Sequence, residues 1–120
     1  MEVEIKATPP SPRVENSVLK WYYEDSFNIT WSIALTEDGE PLPYDADDLL
    51  VFSFFTKDKK LIIEFEFSNI TDNTVVLEFT EEISKLFTPG QYYYCVKYID
   101  GNGRISTIYA NRKIEVEWCH

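Results

Sequence analysis

The sequence predicts an all-β protein, an antiparallel β-sandwich of about seven to nine strands with one short helical crossover. Three observations predict it. Apolar and polar residues alternate along several separate segments, the period of a strand with one dry and one wet face. Turn chemistry interrupts these segments every 8 to 14 residues or so, a spacing that favours antiparallel pairing over a parallel α/β sheet. Only one stretch carries the start and stop signals of a helix.

The chain has 120 residues, of which 44% are hydrophobic and 16% aromatic, with only 4 glycines. That is enough apolar area for an ordinary core without metal or disulfide staples, and too much for a disordered segment. Residues 1–17 are expected to form an N-terminal arm and residues 18–120 a single sandwich domain. In the arm, a possible short strand at Val3 to Lys6 is followed by Thr8-Pro9-Pro10-Ser11-Pro12, a stiff extended spacer. Such an arm either packs on its own domain or reaches a neighbour.

A first domain strand is expected around Val18 to Tyr23. The clearest strand follows: Phe27, Ile29, Trp31, Ile33 and Leu35 alternate with Asn28, Thr30, Ser32 and Ala34. Glu37-Asp38-Gly39-Glu40 is a turn. Leu49 to Phe55, LLVFSFF, is apolar on both faces and so predicts a strand more fully buried than its neighbours. After a turn at Lys57-Asp58-Lys59-Lys60, Ile63, Phe65 and Phe67 point inward, with Glu64 and Glu66 in water. Asn69 to Asn73 turns the chain into Val75, Leu77 and Phe79. Thr80 then caps a helix of two turns at most, with Glu81 and Glu82 in its first turn and Pro89 as its stop. The helix should cross between the sheets and plug one end of the core with Leu86 or Phe87. Pro89-Gly90 opens a strand with Tyr92, Tyr94, Val96 and Tyr98 inward. Asp100-Gly101-Asn102-Gly103 turns it near Asn102, and Ile114, Val116 and Trp118 line the inner face of the last strand. Gly90, and Gly101 or Gly103, are expected to supply positive φ.

Charge and motif content narrow the chemistry. With 11 basic and 21 acidic residues the net charge is −10, which disfavours nucleic acid and anionic membrane surfaces as partners. No apolar run approaches the roughly 20 residues of a membrane span, and MEVEIKATPPSPR lacks the features of a signal peptide. His120 is the sole histidine, and there is no phosphate loop, CxxC pair or zinc spacing. No catalytic residue, metal site or cofactor is therefore assigned, and the expected function is non-enzymatic. Asp45, Asp47 and Asp48 lack the glycine turn and distal Glu of a calcium loop and are read as solvated charge. Cys95 should lie opposite about Tyr109 rather than Cys119, which argues against a disulfide between the two cysteines.

The candidate interface is aromatic. Trp21, Tyr22 and Tyr23 cannot all point inward, and Tyr93 falls out of phase with Tyr92 and Tyr94, so an exposed aromatic patch is expected near the first strand. A bacterial binding module could take a glycan or a protein there.

Several pieces occur in a suggestive order: Tyr23-Glu24-Asp25-Ser26-Phe27-Asn28-Ile29-Thr30-Trp31, then Glu37-Asp38-Gly39-Glu40-Pro41-Leu42, then Thr88-Pro89-Gly90-Gln91-Tyr92-Tyr93-Tyr94, then Asp100-Gly101-Asn102-Gly103-Arg104-Ile105-Ser106-Thr107. Together they resemble the N-terminal domain of the phage baseplate upper protein family, over Trp21 to Trp118. The resemblance implies an immunoglobulin-like sandwich in a structural protein of the virion tail, made in the bacterial cytoplasm. It also implies assembly with other tail or baseplate proteins, or with itself, through shape and strand-edge contacts. Gly39, Pro89, Gly90, Gly101 and Gly103 are scaffold residues in this comparison.

Overall fold

The structure, a computed structural model, describes residues 2–8, 13–15, 18–37 and 40–118. The Pro9 to Pro12 spacer, the Asp38-Gly39 turn, Cys119 and His120 lie outside the described residues. In chain order the elements are β1 (Glu2–Thr8), β2 (Arg13–Glu15), β3 (Val18–Tyr22), β4 (Phe27–Glu37), β5 (Glu40–Leu42), β6 (Leu49–Thr56), β7 (Leu61–Phe67), β8 (Thr74–Phe79), α1 (Glu81–Ser84), β9 (Gly90–Ile99) and β10 (Ile105–Glu117).

These strands form two sheets, as a sandwich requires. In the first, β4 lies between β1 and β8 and makes a hairpin with β5; the second runs β2-β3-β10-β9-β6-β7. A B-type strand between A and E strands, facing a G-F-C order extended by C′, is the immunoglobulin pattern. Tyr92, at the start of β9, completes it: its hydroxyl donates to the Thr88 carbonyl at 2.5 Å, the tyrosine corner of such domains. Two residues on, where antibody domains carry a disulfide cysteine, stands Tyr94, packed edge-on against Trp31 at 5.7 Å. Aromatic packing therefore joins the sheets at this position.

One pairing departs from the antiparallel expectation. β3 runs parallel to β10, with Leu19 opposite Ile114 and Trp21 opposite Val116. A parallel pair needs a long connection, and here most of the domain lies between the two strands. The described strands of the arm pack on its own domain. β1 pairs with β4 from Glu2 opposite Ala34 to Thr8 opposite Asn28, and β2 forms a hairpin with β3.

The inner faces follow the alternation. Phe27, Ile29, Trp31, Ile33 and Leu35 of β4, and Val75, Leu77 and Phe79 of β8, are all buried. Opposite them lie Leu50, Phe52 and Phe54 of β6, Tyr92, Tyr94 and Val96 of β9, and Ile114 and Val116 of β10. On β7, an edge strand, Ile63, Phe65 and Phe67 are only half-buried, with Glu64 and Glu66 exposed. Trp118 is the exception, at 58% exposure. β10 ends at Glu117, so Trp118 lies past the paired strand and packs edge-on against Tyr23 at 5.4 Å.

Helix α1 is a single turn. Thr80 Oγ1 accepts the Ile83 amide at 3.3 Å, and Lys85 reaches back to Glu81 at 3.0 Å. It links β8 in one sheet to β9 in the other, and Phe87, fully buried, closes that end of the core while Leu86 points to solvent. The last hairpin pairs Ile99 with Ile105, which centres its turn on Asn102. Gly103 supplies positive φ there (82°) and Gly90 opens β9 at 151°. Gly101 has another role, because a Cβ on it would come within 3.3 Å of the Asp47 Cβ.

Candidate functional site

In β6 and β9 the inward residues fix which residues face out. Phe55 stands opposite Tyr93, and Ser53 opposite Cys95, on the outer face of the second sheet. β10 is the third strand of this face, and its register slips between Tyr109 and Arg112. Val96 pairs with Tyr109 and Tyr94 with Arg112, so Ala110 and Asn111 together oppose Cys95 as a β-bulge. Asn111 takes φ 52° in it, a conformation asparagine tolerates well.

Around this bulge a groove of about 420 Å³ opens, lined by Phe55, Thr56, Lys57, Lys59, Tyr93, Cys95 and Asn111. Its floor is the half-buried Phe55, Tyr93 and Cys95. Its basic rim comes from the β6–β7 turn, which backbone chemistry holds rigid. Thr56 donates to the Lys60 carbonyl at 2.9 Å, the Lys59 amide returns to the Thr56 carbonyl at 2.9 Å, and the Lys60 amide reaches Thr56 Oγ1 at 3.1 Å. Lys59 adopts φ 66° to close the turn. Among the described residues neither Lys57 nor Lys59 has an ion-pair partner. A recess lined by apolar side chains and by two lysines suits a negatively charged group carried on a compact apolar body.

The other end of β6 is acidic. Asp48 is buried; its Oδ2 accepts the Asp45 amide at 2.8 Å and its carboxylate accepts the Tyr98 hydroxyl. Asp100 Oδ1 accepts the amides of Asn102 and Arg104 at 2.9 and 3.0 Å, fixing the neighbouring turn. These carboxylates stabilise the loops, and among the described residues no group of three or more His, Cys, Asp or Glu could hold a metal ion.

Burial pushes the Tyr98 hydroxyl up to about 12, helped by its hydrogen bond to Asp48 and the charges of Asp48, Asp100 and Asp45. Tyr44, whose hydroxyl donates to the Ile33 carbonyl at 2.6 Å, is likewise raised to about 12, chiefly by burial and then by Tyr98 and Asp48. Burial also raises Tyr94, with Tyr109 adding to the effect and Arg112 opposing it. A hydroxyl whose folded pKa exceeds its unfolded value of 10.0 stabilises the fold below pH 10.0, and that contribution is lost as pH rises towards 12. Urea unfolding midpoints are therefore expected to fall steeply across this window, and the fall should be reduced in Tyr44→Phe. A midpoint flat to pH 12 would contradict the placement of these hydroxyls.

The structure separates the four aromatic residues expected at an interface. Trp21 is a correction: it is 1% exposed, with Phe27, Phe79 and Phe87 at 5.1, 5.5 and 5.6 Å. Its strand alternates, and Lys20 on the outer face puts Leu19 and Trp21 in the core. Tyr22 and Tyr23 are half-buried, Tyr23 under Trp118. Only Tyr93 lines the groove. The remaining groove residues were not expected from sequence, although the lysine-rich turn after β6 was a usable signal.

Comparison with protein-family models, with curated proteins and with solved structures gives no match for this chain.

Proposed function

We propose that this chain is a non-catalytic structural protein of a phage tail or baseplate that works by docking onto other proteins. The observation that supports docking is the groove beside the β10 bulge, where half-buried aromatic and thiol side chains and two lysines without an ion-pair partner among the described residues share one recess on a chain of net charge −10. Flat strand surfaces with an apolar recess and a charged rim are how sandwich domains meet partners. The assignment to a phage tail rests on the resemblance in the order of turns and strands from Trp21 to Trp118.

The alternative is a bacterial immunoglobulin-like module that binds a glycan or protein. A site built on Trp21 is ruled out by its burial, so this alternative would have to use Tyr93 in the groove or the Tyr23 and Trp118 pair. The deciding experiment is mass spectrometry on purified phage particles from the strain that carries the gene, searching for LFTPGQYYYCVK, Leu86 to Lys97. Recovery at the level of known tail subunits supports the tail assignment. Absence from intact particles counts against it, and titration of glycans monitored by Tyr93→Ala then becomes the relevant assay.

A further inference from the structure

We infer that the groove is filled by the acidic end of a second copy of this chain, so that copies associate head to tail. This rests on the proposal that the protein is an assembly component, and it names the partner.

Both complementary surfaces lie at the ends of β6. The strand starts at Leu49, just after Asp45-Ala46-Asp47-Asp48, and ends at Thr56, just before Lys57-Asp58-Lys59-Lys60. Eight extended residues separate them by roughly 25 Å, so a molecule cannot satisfy its own groove. Asp45, Ala46 and Asp47 are all exposed, as are Lys57 and Lys59.

The two surfaces match in pattern as well as sign. At one end two carboxylates at i and i+2 flank a small apolar residue. At the other, two lysines at i and i+2 line the groove together with Phe55 and Tyr93. Asp58 offsets part of the turn's charge, yet three lysines in four residues leave that turn basic on a strongly acidic chain. The donor loop is held ready by the Asp45 to Asp48 hydrogen bond and by the close approach of Asp47 to Gly101. Leu42, three residues before Asp45 in sequence, is 39% exposed. The overall negative charge opposes random contact between copies, whereas this pairing brings opposite charges together. A contact between unlike surfaces repeats, closing into a ring or extending as a filament.

The test is sedimentation velocity over a concentration series on the purified full chain. The parent is expected to associate. Lys57→Glu with Lys59→Glu, and separately Asp45→Lys with Asp47→Lys, should each weaken association by about tenfold or more, because like charges then face one another. Combining all four substitutions keeps the net charge at −10 and restores opposite signs across the contact, so association should return. Far-ultraviolet circular dichroism and melting confirm that each variant folds. A monomeric parent, or association that ignores the single-end reversals, overturns the head-to-tail contact. So does a fourfold variant that remains monomeric. None of these outcomes affects detection of the peptide in particles, so the two proposals fail separately. A second readout needs no variant. Alkylation of Cys95, followed on the Leu86 to Lys97 peptide, should slow as the parent is concentrated, and a rate independent of concentration counts against the contact.

Discussion

Trp21→Ala is expected to destabilise the fold by about 3 to 5 kcal/mol, the range for removing a large buried aromatic side chain and leaving a cavity. The indole is 1% exposed and packs against Phe27, Phe79 and Phe87, where β3, β4, β8 and the segment after α1 meet. Those neighbours are themselves locked together: Phe27 stacks on Phe79 at 4.8 Å, and Phe79 touches Phe54, Phe65 and Phe87. Such a cluster cannot collapse into the gap cheaply. Domains of this size have total stabilities of roughly 5 to 15 kcal/mol, so the variant should melt far below the parent. Urea unfolding measures it. A variant as stable as the parent but defective in binding would put Trp21 on the surface and refute the core assignment.

Trp31 gives the second large effect, with an internal control. It is fully buried at the centre of β4, with Phe52, Tyr94 and Tyr109 at 5.0, 5.7 and 6.3 Å. Trp31→Ala should cost about 3 to 5 kcal/mol. The indole Nε1, however, has no hydrogen-bond partner among the described residues. A buried donor left unsatisfied carries a penalty of about 1 to 3 kcal/mol, which Trp31→Phe removes while leaving a smaller void. The phenylalanine variant should therefore lose much less stability than the alanine variant. A phenylalanine variant as unstable as the alanine variant would count against an unsatisfied indole nitrogen at this position.

What could be read from sequence was whatever depends on neighbours along the chain. Alternation in β4 and β8, the Thr80 cap and the hairpin centred on Asn102 are local, and burial at one face is enough to fix them. Phe87 rather than Leu86 as the plug was a choice between adjacent residues that only the direction of the chain leaving α1 decides. Trp21 was misplaced because three aromatics in a row hide the parity that Lys20 reveals. Trp118 was misplaced because alternation says nothing about where pairing with the neighbouring strand stops. The groove was the least legible part. Phe55, Tyr93 and Asn111 come from three strands, and the recess depends on a bulge that a positive φ at Asn111 creates. The parallel pairing of β3 with β10 left no local trace at all, since neither segment differs in composition from an antiparallel strand.

That pairing has a mechanical consequence. β3 belongs to the beginning of the domain and β10 to its end, and they run side by side in the same direction. Tension applied across the domain, from before Val18 to beyond Glu117, pulls these two strands in opposite senses along their own axes. The paired positions from Leu19 with Ile114 to Tyr22 with Glu117 are then loaded together rather than peeled apart in turn, so rupture requires breaking the ladder as a unit. A domain sewn shut in this way resists stretching between its two ends more than its equilibrium stability alone would suggest, because forced unfolding is governed by the barrier and not by the depth of the native well.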